Sequence, residues 1–214
     1  MGEKIVILTN SIKSKKLCEQ YRNMGKNAIE FGDVYDLNAV KKINPDFTVS
    51  YGYAQKVPKE TVDYLGKNII NTHPALLPLN RGSFANFWSF IYNTRKGVTI
   101  HYLDEGLDTG DIILQEEMFF EAKNETFQTT YNALEAKSVE LLTKNIDDLI
   151  HHRIISKKQS GRATYHSIAK FKKFKEKIPF SWDENIGEFL KKNEERILLF
   201  LKEEKNNLSE SQKV

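Results

Sequence analysis

The sequence has few of the features that mark an exported, membrane-spanning or nucleic-acid-binding protein. It contains one cysteine, Cys18, so it can form no internal disulfide and offers no pair of cysteines to a metal. No apolar run approaches the ~18 residues of a membrane helix, and the four apolar residues after Lys4 are too few for a secretory signal. The 32 basic and 29 acidic residues nearly balance, which disfavours nucleic acid as a partner. These absences predict a globular, cytoplasmic protein without a nucleic-acid or membrane partner.

What the sequence does contain is an alternation of short apolar runs with helical patterns. The run 5–8 is entirely apolar and rich in β-branched residues, which is typical of a strand buried on both faces of a parallel sheet. Similar runs occur at 28–31, 47–51 and 68–71, with helical spacing between them. This order predicts an α/β fold with a Rossmann-like, doubly wound, mostly parallel sheet. Ligands of such sheets bind beyond the carboxyl ends of the strands.

Further elements are predicted to complete a first domain of residues 1–150. Two more strands are expected at 97–103 and 111–120. One long amphipathic helix over 127–149 would then cover the sheet.

Residues 151–214 are predicted to form a small C-terminal extension, made of a hairpin or an irregular basic segment and then a helix. Ser181 and Glu184 have the spacing of a capping box at the start of that helix. Its apolar stripe must pack on the core or on a second subunit, so a homodimer is one expectation.

The segment Asn71-Thr72-His73 leaves the fourth predicted strand at the edge where such sheets bind ligands. Side chains two residues apart on an extended chain point the same way, so Asn71 and His73 should lie side by side. An Asn amide can stabilise an oxyanion and a neutral His can accept the proton of an attacking amine, which together suit acyl transfer. The alternative for this tripeptide alone is structural, with Asn71 capping a turn and His73 bonded within the loop.

Residues 103–111 join two predicted strands and are dense in acidic residues and glycine. Asp108 in this loop could reach His73, orient its imidazole and favour the protonated form once the amine proton has moved. The alternatives are a solvated acidic turn or a loop for a divalent cation. The acidic spacing is not that of an EF-hand, and helices do not flank the loop on both sides. The sequence therefore predicts a site of Asn71, His73 and Asp108 and no metal site.

These segments resemble the formyltransferase family that uses 10-formyltetrahydrofolate. The resemblance spans roughly residues 45–150, and three segments carry it: Asn71-Thr72-His73-Pro74-Ala75-Leu76-Leu77-Pro78, Gly97-Val98-Thr99-Ile100-His101 and Asp104-Glu105-Gly106-Leu107-Asp108-Thr109-Gly110-Asp111. It implies that a substrate amine attacks the formyl carbon of 10-formyltetrahydrofolate. It also implies that Asn71 holds the tetrahedral intermediate, while His73, assisted by Asp108, transfers the proton.

The resemblance also implies where the pterin of the formyl donor binds. It would lie against the loop after the third strand and against residues 103–108, mostly through backbone groups, with apolar walls from Val57 and Leu103. The implied cofactor-binding residues are Tyr53, Gln55, Val57, Leu103, Asp104, Glu105 and Asp108. On sequence grounds His101, which alternates with apolar neighbours on a strand, is expected to be a core histidine that could adjoin the crevice.

Finer features resemble the sugar-nucleotide N-formyltransferases of surface-polysaccharide pathways. They include 80–82 together with 86–90, and Lys158-Gln159 with the segment 161–166, whereas Ala85 stands where those enzymes commonly carry proline. The expected acceptor-binding residues are Arg81, Tyr165 and His166 in these segments, and Asn10, which follows the first strand and could meet a phosphate. Arg81 could pair bidentately with a diphosphate or could brace its own loop.

The function predicted from the sequence is formyl transfer to the amine of a nucleotide-linked amino sugar. The usual acceptor of that branch is a 4-amino-4,6-dideoxy hexose, and a UDP-linked acceptor of a pseudaminic-acid-type pathway is one option. Three alternatives stay open: a purine enzyme like glycinamide ribonucleotide transformylase, a formyltetrahydrofolate hydrolase, and a non-catalytic folate- or nucleotide-binding module.

Overall fold

A computed structural model describes residues 2–12 and 14–211, with side chains as far as residue 206. Residues 212–214 of the predicted extension lie outside the described part. The strands are β1 (Lys4–Leu8), β2 (Asn27–Phe31), β3 (Phe47–Ser50), β4 (Ile69–His73), β5 (Arg81–Gly82), β6 (Lys96–Tyr102), β7 (Ile112–Met118) and β8 (Tyr165–His166). The helices are α1 (Ser14–Asn23), α2 (Leu37–Ile43), α3 (Lys59–Leu65), α4 (Ala85–Ile91), α5 (Phe127–Lys144), α6 (Ile146–Ile150), α7 (Ile168–Lys177), α8 (Ile186–Lys192) and α9 (Glu194–Ser211).

Six strands form one central sheet in the order β2-β1-β3-β4-β6-β7. The four strands from β2 to β4 are parallel, and β6 and β7 add to them in antiparallel pairs. The predicted α/β fold is confirmed, and the sheet is mixed rather than parallel throughout. Because β6 runs against β4, Asn71 faces His101 across the two strands.

The β1 strand shows why the sheet is covered on both faces. Ile5 and Ile7 enter an apolar cluster with α1 and α5, whereas Val6 and Leu8 enter a second cluster with α2 and α3. All four side chains are fully buried, as the continuous apolar run predicted. The sheet is therefore held between two helical layers.

The predicted helix over 127–149 is two helices, so this detail of the prediction is wrong. The α5 helix ends at Asn145, where both the backbone N–H and the side-chain amide donate to the Leu141 carbonyl oxygen. A side chain that competes for backbone partners in this way ends the regular pattern. The short α6 then continues along the sheet and buries Ile146 and Leu149.

The extension is more helical than expected. Residues 151–164 are largely irregular, but the basic segment after them contains α7, whose first turn is capped by the Ser167 hydroxyl. The expected capping box is wrong, because α8 is capped by Asn185, which accepts from the Glu188 N–H at 3.0 Å. A second interruption at Asn193 separates α8 from α9.

Helices α4, α7, α8 and α9 meet in what we call the aromatic cluster. Its aromatic members are Phe87, Trp88, Phe90, Tyr92, Phe120, Phe127, Phe171, Phe174, Phe180, Trp182, Phe189 and Phe200. The apolar stripe of the extension thus packs within the chain, although Leu198 and Leu199 stay 51% and 60% exposed. The homodimer and the domain division near residue 150 stay predictions. Along residues 2–12 and 14–211, each helix is either too short or too polar to cross a bilayer.

Candidate active site

The β4 strand carries two of the predicted site residues on one side of the sheet. Asn71 and His73 are two positions apart on the strand, and they pair with His101 and Thr99 of β6. His73 is buried and Asn71 is half-buried. The structure therefore sets the amide and the imidazole side by side, as the spacing predicted, although both lie within the strand rather than beyond its end.

The loop between β6 and β7 brings in the third residue. The Leu103 N–H donates to the Ile69 carbonyl oxygen, and the loop then turns back along β4. Asp108 ends 3.5 Å from His73 Nδ1 through Oδ2 and accepts a 3.3 Å hydrogen bond from Asn71 Nδ2 through Oδ1. Asn71, His73 and Asp108 are thus brought together in one contact network.

The Asp108 carboxylate is buried and charged. Its backbone is left-handed, with φ of 53°, and the side chain is 9% exposed. Burial alone would raise the pKa of Asp108, but the nearby His73 and His101 imidazoles and the Gly82 N–H together hold that pKa below its ordinary value. The Gly82 N–H donates to Oδ2 at 2.8 Å. Asp108 therefore stays ionised throughout the neutral range.

The hydrogen bonds of His73 decide which of its nitrogens can act as a base. Nε2 lies 2.8 Å from the Asn80 carbonyl oxygen, which can only accept, so Nε2 carries the hydrogen. Nδ1 is then unprotonated in the neutral ring and faces Asp108. Burial lowers the pKa of His73 below its ordinary value, against the opposing effects of the Asp108 carboxylate and the Asn80 carbonyl. The ring is therefore a neutral base at neutral pH.

His101 belongs to the same network. The sequence predicted only a core histidine that could adjoin the crevice. Its Nδ1 donates to the Tyr102 carbonyl oxygen at 2.8 Å, so its Nε2 is an acceptor and receives a 3.2 Å bond from Asn71 Nδ2. Nε2 also lies 3.5 Å from Asp108 Oδ1. His101 thereby fixes the orientation of the Asn71 amide. The antiparallel pairing of β4 with β6 creates this contact.

A two-stranded sheet frames the opposite side of the site. Gly82 on β5 has φ of 87°, and its backbone donates to Asp108. A Cβ at Gly82 would meet the His166 carbonyl oxygen at 2.5 Å and the Tyr165 ring at 2.8 Å, because β8 lies directly against it. Only glycine fits this position, since both the conformation and the space exclude a side chain.

A cavity of about 590 Å³ opens beside the network, between Pro74 and Gly82 on one side and the aromatic cluster on the other. Aromatic rings dominate its wall: Phe84, Phe87, Phe127, Tyr131 and Trp182. Asn86 and Gln128 supply amides, and none of the described lining residues is charged. The cavity suits uncharged rings and adjoins the residues able to act on an amine.

A family model described as formyl transferase matches residues 10–146. The match covers more than half of the chain and includes Asn71, His73 and Asp108. The chain belongs to the formyl transferase family. The family predicted from the sequence is thereby confirmed.

The chain matches part of the length of a curated relative. The methionyl-tRNA formyltransferase of Syntrophus aciditrophicus is 41% identical over 118 residues, which cover 55% of this chain and 38% of that protein. The chain thus spans about two-fifths of the length of that curated relative.

Two solved structures are similar over more of the chain. One is the formyltransferase PseJ from Anoxybacillus kamchatkensis, in complex with UDP-4,6-dideoxy-4-formamido-L-AltNAc and tetrahydrofolate. It is 31% identical, with a TM-score of 0.79 over 87% of this chain and 97% of PseJ. A 4-N formyltransferase from Francisella tularensis is 25% identical, with a TM-score of 0.64 over 85% of this chain and 82% of that one.

The residues expected to bind the cofactor fall into two groups in this formyl transferase. Tyr53, Val57 and Leu103 pack in one apolar cluster with α2 and α3, and of these three only Val57 is buried. Gln55 donates through its amide to the Gly32 carbonyl oxygen at 3.1 Å. The loop after β3 is thereby braced against the loop after β2, next to an apolar wall.

The acidic members of the expected cofactor set lie on the loop before Asp108. Asp104 Oδ1 accepts from the Gly106 N–H at 3.1 Å and from the Thr109 hydroxyl at 2.6 Å, so it shapes the loop. Glu105 is exposed and lies 3.6 Å from Lys59. Leu103, Asp104 and Glu105 line a second cavity of about 550 Å³ against α3.

The four expected acceptor-binding residues are placed in four different ways. Arg81 donates twice to Gln159 Oε1, which supports the bracing alternative for that residue. Asn10 links two loops, donating to the Gly32 carbonyl oxygen and accepting from the Ala54 N–H. Tyr165 is 56% exposed beside Gly82.

His166 is the most deeply buried of these residues, and like the other three it does not line the aromatic cavity. It is 2% exposed and stacks against the Trp88 and Tyr92 rings, with Nε2 donating to Asn80 Oδ1. In this position it supports Asn80, whose carbonyl oxygen receives the His73 hydrogen bond.

Within the described residues, no three His, Cys, Asp or Glu side chains converge in a way that could hold a metal ion. A neutral imidazole, a buried carboxylate and an oriented amide can together accept a proton and stabilise an oxyanion.

Proposed function

We propose that this chain transfers the formyl group of 10-formyltetrahydrofolate to the amine of a nucleotide-linked amino sugar. The observation that carries this proposal is the likeness to PseJ, whose structure holds UDP-4,6-dideoxy-4-formamido-L-AltNAc and tetrahydrofolate. Because 87% of the chain aligns, the likeness reaches beyond residues 10–146 and into the extension. The proposed acceptor is accordingly a UDP-linked 4-amino-4,6-dideoxy hexose, and the activity belongs to the biosynthesis of surface polysaccharide.

In this reaction His73 accepts the proton that the attacking amine must lose. Its Nε2–H is committed to the Asn80 carbonyl oxygen, so Nδ1 takes the proton. The Asp108 carboxylate, 3.5 Å from Nδ1, then stabilises the imidazolium. A neutral base next to a permanent negative charge is matched to proton transfer at neutral pH.

Asn71 stabilises the oxygen that becomes negative when the amine attacks the formyl carbon. One of its N–H groups is held by His101 Nε2 at 3.2 Å, which orients the amide. The other donates to Asp108 Oδ1 over 3.3 Å, a long bond that a formyl oxygen can replace. An oriented amide N–H of this kind is the usual donor of an oxyanion hole.

The uncharged aromatic cavity supports a ring-bearing acceptor. Pro74, the neighbour of His73, lines this cavity. A sugar ring bound inside it therefore places its amine near His73. Since no charged side chain lines the described wall, the diphosphate of the acceptor would lie outside it.

The proposal is tested by transfer assays with 10-formyltetrahydrofolate and a panel of UDP-, dTDP- and GDP-linked 4-amino-4,6-dideoxy hexoses. We expect release of tetrahydrofolate coupled to formylation of one nucleotide sugar, seen by mass spectrometry. His73→Ala should bind the same ligands in thermal-shift experiments but not turn them over. His151→Ala, an exposed histidine at the end of α6, is the matched control.

Other outcomes would contradict the proposal and identify an alternative. Formylation of methionyl-tRNA and of no nucleotide sugar would favour the activity named for the relatives that share residues of the core. Formate release without any amine would indicate a hydrolase. Ligand binding that His73→Ala leaves intact, with no turnover by the unmodified protein, would indicate a binding module.

A further inference from the structure

One side chain from outside residues 10–146 touches the loop that carries Asp108. The Gln159 amide nitrogen donates to the carbonyl oxygens of Asp108, at 2.9 Å, and Gly110, at 2.8 Å. Its Oε1 accepts from Arg81 Nε at 3.2 Å and Arg81 Nη2 at 2.7 Å. Gln159 therefore joins the catalytic loop to β5 through four hydrogen bonds.

The partners of Gln159 fix the direction of its amide. Backbone carbonyl oxygens only accept and a guanidinium only donates, so the NH₂ group must face the loop and the oxygen must face Arg81. A reversed amide would place two oxygens against each other on one side and N–H groups against N–H groups on the other. No other uncharged side chain of this length offers both polarities at once.

Backbone pairing between β7 and the extension places Gln159 beside the catalytic loop. Ile112, the first residue of β7, exchanges two 2.8 Å backbone hydrogen bonds with Lys157. Gln159 is two residues further along and thus lies beside the loop that ends at β7. The irregular segment of the extension is anchored where the catalytic loop finishes.

The loop needs such an anchor because Asp108 is held in an unfavourable conformation. A non-glycine residue at φ of 53° is in an unfavourable backbone region, and surrounding contacts keep it there. The carboxylate must also stay in contact with His73 and the Gly82 N–H. Bonding the carbonyl oxygens of Asp108 and Gly110 fixes the backbone on both sides of Thr109.

We propose that Gln159 is a positioning residue for formyl transfer, holding Asp108 against His73 by clamping the loop backbone to Arg81. This rests on the proposed function in one respect, that Asp108 acts in the transfer. The extension then completes the site rather than merely covering it.

The test compares Gln159→Leu, Gln159→Glu and the control Gln20→Leu. Gln20 is also half-buried but lies on α1, where it bonds Thr143. Leu removes all four bonds, whereas Glu keeps the Arg81 pair and loses both donors to the loop. We expect both Gln159 variants to lower kcat by about 10- to 100-fold, the loss typical of two hydrogen bonds, with the acceptor KM unchanged. Gln20→Leu should match the unmodified protein.

A second measurement does not depend on activity. The Gly82 N–H is protected by Asp108, so displacement of Asp108 should speed its hydrogen exchange in NMR of both Gln159 variants. Thermal unfolding shows whether each variant is folded, and Gln159→Glu serves if Gln159→Leu is not.

Three results would overturn the clamp: unchanged kcat in Gln159→Leu, full activity in Gln159→Glu, or unchanged exchange at Gly82. Failure of the unmodified protein to formylate any nucleotide sugar would instead refute the proposed function. In that case the exchange at Gly82 still decides whether Gln159 positions Asp108.

Discussion

The network around Asp108 and the aromatic cluster border the same cavity, and they bury very different groups. In the network, His73, His101 and Asp108 are 4%, 2% and 9% exposed, and each is held by hydrogen bonds. In the cluster, rings such as Phe87 and Phe174 pack edge to face 5.1 Å apart with no polar partner involved. Buried polar groups roughly break even in stability, whereas buried rings contribute directly. The comparison predicts that one region sets the rate and the other the stability.

Among the variants that test this comparison, His73→Ala is expected to have the largest effect, which is on the transfer rate. His73→Ala removes the base, and we expect the transfer rate to fall about 10²- to 10⁴-fold while the protein stays folded. Steady-state kinetics and urea unfolding of the same samples measure the two quantities. If His73→Ala instead lowered the free energy of unfolding strongly and kept its activity per folded molecule, the network would contribute to stability rather than to the rate.

The counterpart in the aromatic cluster is Phe174, which is fully buried on α7. Phe174→Ala should lower the free energy of unfolding by about 3–5 kcal/mol, because it leaves a cavity among rings. The kcat of the folded fraction should be unchanged. Leu199→Ala, at a 60% exposed position, should change stability by less than about 0.5 kcal/mol. Equal effects of the two variants would show that the cluster is not the stabilising unit.

His166 links the two regions, and its effect depends on pH. Burial and the nearby Lys170 lower the pKa of His166 to about 3, so the unfolded chain binds a proton below about pH 6.5 that the folded chain rejects. Its contribution to stability is therefore complete above that pH and is lost as the pH falls toward the folded value. His166→Gln, which can still donate to Asn80, should flatten the decline of unfolding free energy measured by urea unfolding from about pH 6.5 to 4. An unchanged slope would mean that His166 is protonated in the folded protein.

The smallest effect is expected on the loop that precedes Asp108. Asp104→Ala removes the bonds to the Gly106 N–H and the Thr109 hydroxyl, and each such bond is worth about 1 kcal/mol, so the KM for the folate should rise several-fold. Glu105→Ala removes only an exposed ion pair and should leave that KM within about twofold. If Glu105→Ala had the larger effect, the cofactor would contact the side chain rather than the backbone of this loop.

Elements with a strong local signal could be predicted from the sequence. The apolar run of β1 indicates burial on both faces, and Asp36, a residue type favoured at helix starts, caps α2 by accepting from the Ala39 N–H at 2.8 Å. Asn71 and His73 share a face because strands have a period of two. Each of these inferences needs only neighbouring residues.

Features that depend on contacts between residues distant in sequence could not be predicted in this way. The α7 helix is a different omission, because its signal is local: Ser167 caps its first turn, lysine is a good helix former, and the buried Phe171 and Phe174 are three residues apart. The position of His101 beside Asn71 follows from the antiparallel pairing of β6 with β4, and no local pattern specifies the order of strands. The capping role given to Ser181 failed because Asn185, four residues later, is the better-placed cap.

The pairing of β5 with β8 has a consequence for the order in which a nascent chain matures on the ribosome. Asn71, His73 and Asp108 have all been synthesised by residue 108, yet Gly82, which donates to Asp108, lies on a strand whose partner is Tyr165–His166. About 57 further residues must emerge before that strand can pair. During translation the reactive residues are therefore synthesised well before the strand pairing that completes the site around them can form.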